Sequence, residues 1–289
     1  MNGRPRRTPI AAAPALLAAL VLGALAARAA DAPALKTTEL GRGPTVVLVH
    51  ELGSARMTWM PVVRPLITGH RVVLVDLPGH GESPMIDPFS FPAAAAALDG
   101  VLAREKPEST IVVGHGVGGV VALYEASAHP ERMRGLVVLD AAATTPFKVA
   151  DQQRDMFLKQ LDERYDAFLN MMYLHSGRDS VQSVAIHARA ALVPPATMKA
   201  YLRELLVLDA TGAAKALKVP MLFVASEKTW AAESSWAGLA KKFGYDGVRD
   251  VSWRRIGASG HYMVDDQPDS VAAAIAAFET RAISGPRKP

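Results

Sequence analysis

The stretch "IVVGHGVGGVVAL", Ile111 to Leu123, sets the reading of the whole chain. Ile111, Val112 and Val113 form a short apolar run of β-branched residues, the composition of a buried strand. Glycines stand at 114, 116, 118 and 119, and from Val117 the apolar residues continue at helical length to Ala128. A strand that turns into a helix within so few residues needs small side chains at the corner, because a Cβ there would hold the helix away from the sheet. The stretch therefore reads as a βα unit, and similar runs recur along the chain.

Apolar runs at Thr45–His50, Arg71–Asp76, Ser109–Gly114, Gly135–Asp140, Pro220–Ser226 and Val251–Ile256 read as strands. Helical patterns at Pro92–Glu105, Val117–Ala128, Ala231–Phe243 and Asp269–Ile283 lie between them or after the last. This alternation predicts an α/β fold with a mostly parallel, doubly wound sheet covered on both faces. Between Asp140 and Pro220 no strand-like run occurs, while Met156, Phe157, Leu161, Phe168, Leu169 and Met172 recur at helical spacing. A helical cap over residues 147–217 is expected, inserted into a core made of residues 30–146 and 218–289. Its apolar stripe would pack on the core and roof a small-molecule pocket.

A chain of 289 residues, 50% hydrophobic and 21% charged, suits one sizeable core. Residues 1–29 stand apart. Arg4, Arg6 and Arg7 precede an alanine-rich apolar stretch from Ile10 to Ala27 that ends in Ala27-Arg28-Ala29, the pattern of a secretory signal peptide cleaved near Ala29. Pro14 and the weak hydrophobicity of alanine argue against a retained membrane anchor, and Arg6-Arg7 leaves general secretory and twin-arginine export both open. A periplasmic or secreted protein is expected, with no stable membrane anchor once the leader is gone. The leader holds four arginines and no acid, so its removal takes 32 basic residues to 28, against 28 acidic ones. The sequence pI near 9.3 is thus a property of the leader and does not point to a nucleic-acid partner. The absence of cysteine excludes a thiol nucleophile, disulfides and cysteine-ligated metal.

Four motifs, in order and on the predicted elements, carry a resemblance that runs from about Leu35 to Phe278. "TVVLVHELGSARMTW" (Thr45–Trp59) resembles the strand and oxyanion loop of the α/β-hydrolase family, and "RVVLVDLPGHGES" (Arg71–Ser83) resembles the next strand and its turn. Gly114-His115-Gly116-Val117-Gly118 occupies the positions of the family's G-x-S-x-G nucleophile elbow. "SGHYMVDDQPDSV" (Ser259–Val271) resembles the segment that delivers the catalytic histidine and places it at His261. The family resembled includes capped esterases, epoxide hydrolases and dehalogenases. The same glycines also spell G-x-G-x-x-G after a strand, with Asp140 ending the next one, but the other three motifs outweigh a nicotinamide site. No cofactor and no metal site is expected.

The chain departs from the family pattern at several positions. Gly116 stands where the nucleophile should be, and a vacant position there is expected. Glu51 replaces the usual glycine after His50, placing a carboxylate where an oxyanion would form, which opposes such a charge unless it is protonated or turned away. An acid near Thr229 is missing, leaving Asp140 and Glu227 as candidate partners of His261, with Asp140 at the position some members use. His115, His80 and Ser83 read as residues that pack or steady turns, and Ser54, Ser83, Ser226 and Ser259 all lie off the elbow.

Three readings follow. In the first, a water over Gly116 is deprotonated by His261, which Asp140 orients, with Glu51 or Glu227 as other bases; the backbone of Val117 and Leu52, flanked by His50 and His115, receives the charge and the substrate. In the second, the chain is a non-catalytic pseudo-hydrolase that keeps a pocket for a small ligand. In the third, His261 and Glu51 transfer protons as in a lyase. The ligand expected in each case is a small, apolar molecule, of the ester type if the chain is a hydrolase. Gly116→Ser is expected to gain esterase turnover if Asp140, His261 and the Val117 N–H are placed for a triad.

Overall fold

The computed structural model describes residues 34–147 and 150–284; the predicted leader, residues 1–29, lies outside them. Apolar runs become strands because their side chains find cover on both faces. In β2 (Thr45–Val49), β4 (Thr110–His115), β5 (Gly135–Leu139) and β6 (Met221–Ser226) every residue is buried. β3 (Arg71–Val75) and β7 (Val251–Ile256) flank this centre, and β1 (Thr37–Gly41) forms the edge beyond β3. The order is β1-β3-β2-β4-β5-β6-β7. All neighbours are parallel except β1, which runs antiparallel to β3 from Thr37 opposite Val75 to Gly41 opposite Arg71.

Helices cover both faces. α1 (Met60–Leu66) comes between β2 and β3, α2 (Phe91–Leu102) between β3 and β4, and α3 (Val117–Ala128) between β4 and β5. Five helices then separate β5 from β6: α4 (Asp151–Glu163), α5 (Tyr165–Tyr173), α6 (Ser180–Ala190), α7 (Pro195–Leu206) and α8 (Thr211–Lys215). After β6 come α9 (Trp236–Phe243), then β7, α10 (Met263–Asp266) and α11 (Pro268–Ser284). Alternate strand residues Val46, Leu48, Val72, Leu74, Ile111 and Val113 meet Val62, Val63 and Leu66 of α1 and Val271, Ile275 and Phe278 of α11 in one cluster. Each such side chain contributes on the order of 1.5–3 kcal/mol relative to exposure. The period of two leaves the intervening residues, such as Val47, Val73 and Val112, for the opposite face.

The helices between β5 and β6 leave and return at one place. Thr145 N–H donates to the Leu208 carbonyl (2.9 Å) and Ala210 N–H to that of Ala143 (2.7 Å), tying the two ends of the excursion together. Three elements were not predicted: β1, α1 and the single turn α10. β1, "TTELG", carries polar residues and is only partly buried, so no apolar run marks it. α1, "MPVVRPL", holds Pro61 and Pro65, which read as breaks, yet Pro61 sits in the first turn where its missing N–H costs nothing. Among the described residues no helix is long and apolar enough to cross a membrane.

Candidate active site

Parallel pairing places the C-terminal ends of the strands on one edge of the sheet, and there the singled-out residues converge. Glu51 follows β2, Gly116 follows β4, Asp140 follows β5, and His261 lies on the loop between β7 and α10. At the elbow Gly116 has φ 49°, ψ −116°, a conformation that disfavours any side chain. Gly118 allows the close approach of α3: a Cβ there would lie 2.4 Å from the Val49 carbonyl oxygen.

The space over Gly116 is not vacant. A Cβ built on Gly116 would lie 1.3 Å from Glu51 Oε2 and 2.3 Å from its Cδ, so the Glu51 carboxylate fills the position expected to hold a water. The expected alternative, a Glu51 turned away, fails for the same reason. Oε2 accepts the Val117 N–H at 2.8 Å, so the donor expected to steady a substrate's charge is engaged by the protein's own carboxylate. The single change Gly116→Ser consequently meets a filled site rather than an empty one.

His261 stands between two carboxylates. Its Nε2 is 3.8 Å from Glu51 Oε2 and its Nδ1 is 3.7 Å from Asp140 Oδ2, ion-pair distances beyond close hydrogen bonding. Burial pulls the imidazole pKa down, but Asp140 and then Glu51 outweigh it and raise it to about 10. With 38% of its side chain exposed the ring is screened by solvent, and the direction of the shift rests on the two flanking charges. Burial pushes Glu51 up, and His261, helped by the Val117 N–H, holds it below the usual carboxylate range. The two flanking charges thus favour the protonated form of His261, which opposes the water-activating base expected of it.

Asp140 is the acid in contact with His261. Its Oδ1 accepts the Ser226 N–H (2.9 Å) and its Oδ2 the Thr229 hydroxyl (3.0 Å), while its own φ is 42°, an unusual backbone held by these partners. Thr229, noted in the sequence for the acid it lacks, thus serves Asp140 as a hydrogen-bond donor. Glu227 is elsewhere: its carboxylate pairs with Arg255 (2.6 Å) and accepts the Ala258 N–H (2.6 Å).

The remaining histidines hold the frame. His50 Nδ1–H donates to the Glu51 carbonyl (2.7 Å) and Nε2 accepts the Leu77 N–H (3.0 Å), which sets its tautomer and fixes the backbone that carries Glu51. His115 Nε2–H donates to the His261 carbonyl at 2.7 Å and so positions the loop without reaching the reacting groups. His80 Nδ1–H donates to Pro78 (3.1 Å). Burial drives the pKa values of His50 and His115 down to about 4 and that of His80 to about 3, so all three are neutral. Leu52 is buried, and its carbonyl accepts the Tyr173 hydroxyl of α5 (3.4 Å); a Cβ on neighbouring Gly53 would come 2.8 Å from Ala190 Cβ of α6. Nothing in the sequence marked Tyr173. The serines stay off the elbow: Ser83 Oγ–H donates to the Asp76 carbonyl, Ser259 Oγ–H to that of Ile256, and Ser226 Oγ accepts the Thr229 N–H; Ser54 is buried in the loop after β2. Among the described residues no group of three or more His, Cys, Asp or Glu could hold a metal ion.

A sequence profile described as "Alpha/beta hydrolase family" matches residues 46–274, from β2 into the first half of α11. The chain belongs to the α/β-hydrolase family. A pimeloyl-[acyl-carrier protein] methyl ester esterase of Chromobacterium violaceum is 34% identical over 161 residues, 50% of this chain and 60% of the esterase. The match thus spans about three fifths of that relative's length. Among solved structures, an esterase from Thermogutta terrifontis superposes with a TM-score of 0.72 at 23% identity, covering 86% of this chain and 94% of the esterase. An enol-lactonase from Burkholderia xenovorans gives 0.69 at 18% identity, covering 85% and 96%. These two likenesses establish the α/β-hydrolase fold. The site of this α/β hydrolase is read from its own residues.

Proposed function

We propose that the chain is an exported hydrolase of small, largely uncharged molecules of the ester type or related to it, lacking the elbow serine and working through the carboxylate of Glu51. The observation that carries this reading is the place of Glu51 Oε2: in the space a side chain at 116 would occupy, on the Val117 N–H, and 3.8 Å from His261. In this reading Glu51 is the base or nucleophile, His261 the proton donor beside it, and Asp140 the group that holds His261 charged and oriented. Leu52, His50 and His115 shape the backbone around the substrate. Export is supported by the composition of residues 1–29, and the esterases among the relatives support the ester-type substrate. N-terminal sequencing of the protein recovered outside the cytoplasm tests the leader.

The second reading is a non-catalytic binding protein for a small apolar ligand. It is favoured by the engagement of Val117 N–H, the donor an ester's oxyanion would use. The experiment that separates the two is hydrolysis of an activated short-chain ester by the purified protein, alongside folded Glu51→Gln and His261→Gln. A rate above buffer that both variants lose supports the catalytic reading. Rates equal to buffer for all three support binding, and ligand-dependent thermal shifts become the assay.

A further inference from the structure

We propose that Asp266 is a positioning residue that ties the place of His261 to the seating of α6, one of the helices between β5 and β6; its bearing on catalysis rests on the reading above that His261 works with Glu51. Asp266 ends α10, and its side chain is 1% exposed. Its Oδ2 accepts the Gly260 N–H at 2.8 Å, one residue before His261, and its Oδ1 accepts Gln182 Nε2 of α6 at 2.7 Å. The loop that carries His261 and a helix from another part of the chain thus share one buried carboxyl group. If either donor withdrew, a buried oxygen would be left without its partner, so each contact helps to hold the other. Asp266 acts on the site through the backbone at Gly260 and not on the reacting groups.

The grip of α6 is built at both of its ends. Gln182 is itself oriented, because its Oε1 accepts the Arg178 N–H at 2.6 Å and so turns its amide nitrogen toward Asp266, with Arg178 Nη1 at 3.7 Å as the nearby positive charge. At the far end Arg189 Nη2 donates to Asp265 Oδ2 at 2.8 Å. Residues 182 and 189 are two turns apart and therefore lie on one face of the helix, which is why α6 can hold two consecutive residues of α10. The same helix also leans on the other half of the site: a Cβ on Gly53 would lie 2.8 Å from Ala190 Cβ, which leaves no room between α6 and the loop after β2 that carries Glu51. One helix is thus in contact with both loops whose side chains meet, Glu51 Oε2 and His261 Nε2 at 3.8 Å. His261 has a second anchor in the core, where its carbonyl accepts His115 Nε2–H at 2.7 Å. A single anchor leaves the loop free to turn about it; the bond from Gly260 to Asp266 is the one that fixes its direction, and α6 is what keeps Asp266 in place.

The test is amide hydrogen exchange of the purified protein followed by NMR, with amides of β4 and β5 as the internal reference for global unfolding. Three variants are compared with the native chain. Asp266→Asn cannot accept from both donors at once. Gln182→Glu keeps the size and the acceptor for the Arg178 N–H but removes the donor to Asp266, and Gln182→Lys offers Asp266 a donor again. The Gly260 amide should exchange at least about 10-fold faster, relative to the reference, in Asp266→Asn and in Gln182→Glu, and should return to within about threefold of native in Gln182→Lys. The side-chain donor of Gln182 goes to Asp266, so a purely local role for the glutamine would leave the Gly260 amide where it was. Acceleration in Asp266→Asn alone overturns the coupling to α6, and so does equal acceleration by both exchanges at 182, which would mark a disturbed helix. Unchanged exchange throughout overturns the positioning role itself. Should Asp266→Asn fail to fold, the opposed exchanges at 182 decide the matter alone. Turnover is read separately: on an activated short-chain ester Gln182→Glu should lower kcat and Gln182→Lys restore it. A native protein without ester hydrolysis overturns the proposed function, while the exchange rates still decide whether α6 holds the His261 loop.

Discussion

Restoring a serine at the elbow tests the placement of Glu51 most directly, because the structure makes the single and double exchanges behave differently. A Cβ at 116 would lie 1.3 Å from Oε2 and 2.9 Å from Oε1, whereas ordinary contacts begin near 3.4 Å, so in Gly116→Ser the carboxylate must swing out by roughly 2 Å. It then loses the Val117 N–H and its approach to His261. Losing the charge-assisted hydrogen bond from the Val117 N–H costs about 1.5–3 kcal/mol, parting from a His261 that is 38% exposed adds less than about 1 kcal/mol, and a serine at φ 49° adds about 1–2 kcal/mol. For a domain of this size that lowers Tm by roughly 5 °C or more. In Gly116→Ser/Glu51→Gly the clash is gone, the Val117 N–H is released to a substrate oxyanion, and His261 loses one of the two carboxylates that keep it charged. The double variant should recover most of the lost Tm in thermal unfolding and hydrolyse an activated short-chain ester at least about 100-fold faster than Gly116→Ser. A single variant as stable and as active as the double would refute the reasoning, since Glu51 could not then occupy that space.

Other outcomes follow from the charges. The imidazole of His261, followed by NMR, should titrate far above 6.5, near 10, and Glu51→Gln should move its midpoint down; a midpoint near 6.5 in the native chain would contradict the two-carboxylate site. Because its folded pKa is the raised one, the stability it adds is complete below pH 6.5 and fades as pH climbs toward 10. His50, His80 and His115 have the opposite sign: neutral when folded and free to charge when unfolded, they should cost stability as pH falls from 6.5 toward 4, by up to about 3 kcal/mol each, and so lower Tm; a Tm flat across that window would count against their burial. Glu125, buried on α3 and raised by burial to about 8, makes the fold lose stability as pH rises from 4.5 to 8, so the difference in Tm between native and Glu125→Gln should change across that range and not outside it. Thr229→Val removes one donor from Asp140 and should cost about 1–3 kcal/mol in thermal unfolding while lowering any His261-dependent rate.

The six parallel strands were legible because their residues are apolar on both faces, and the observed ends of β2 to β7 differ from the expected ones by one residue or none. What the sequence concealed has a common cause. β1 and α1 are stabilised by neighbours rather than by their own pattern, so neither an apolar run nor a clean helical period announces them. The convergence of residues 51, 116, 140 and 261 was legible from their places at strand ends. The direction in which Glu51 points was not, since it depends on a side-chain rotamer, the missing Cβ of Gly116 and the donor at Val117 acting together. The same holds for Asp140 against Glu227: both follow adjacent strands, and only the partners of each, Thr229 and Ser226 for one and Arg255 for the other, decide which faces His261.

The hydrogen bond from His115 to the His261 carbonyl joins residues 146 apart in sequence. A growing or refolding chain can complete β2 to β5, elbow included, while this latch still has nothing to close on. Under the proposed function the site is thus completed late, and slippage of the short segment around His261 would silence it while the sheet stays intact. Measurements of residual structure and of activity in this protein should therefore part company under mild denaturant, with activity failing first.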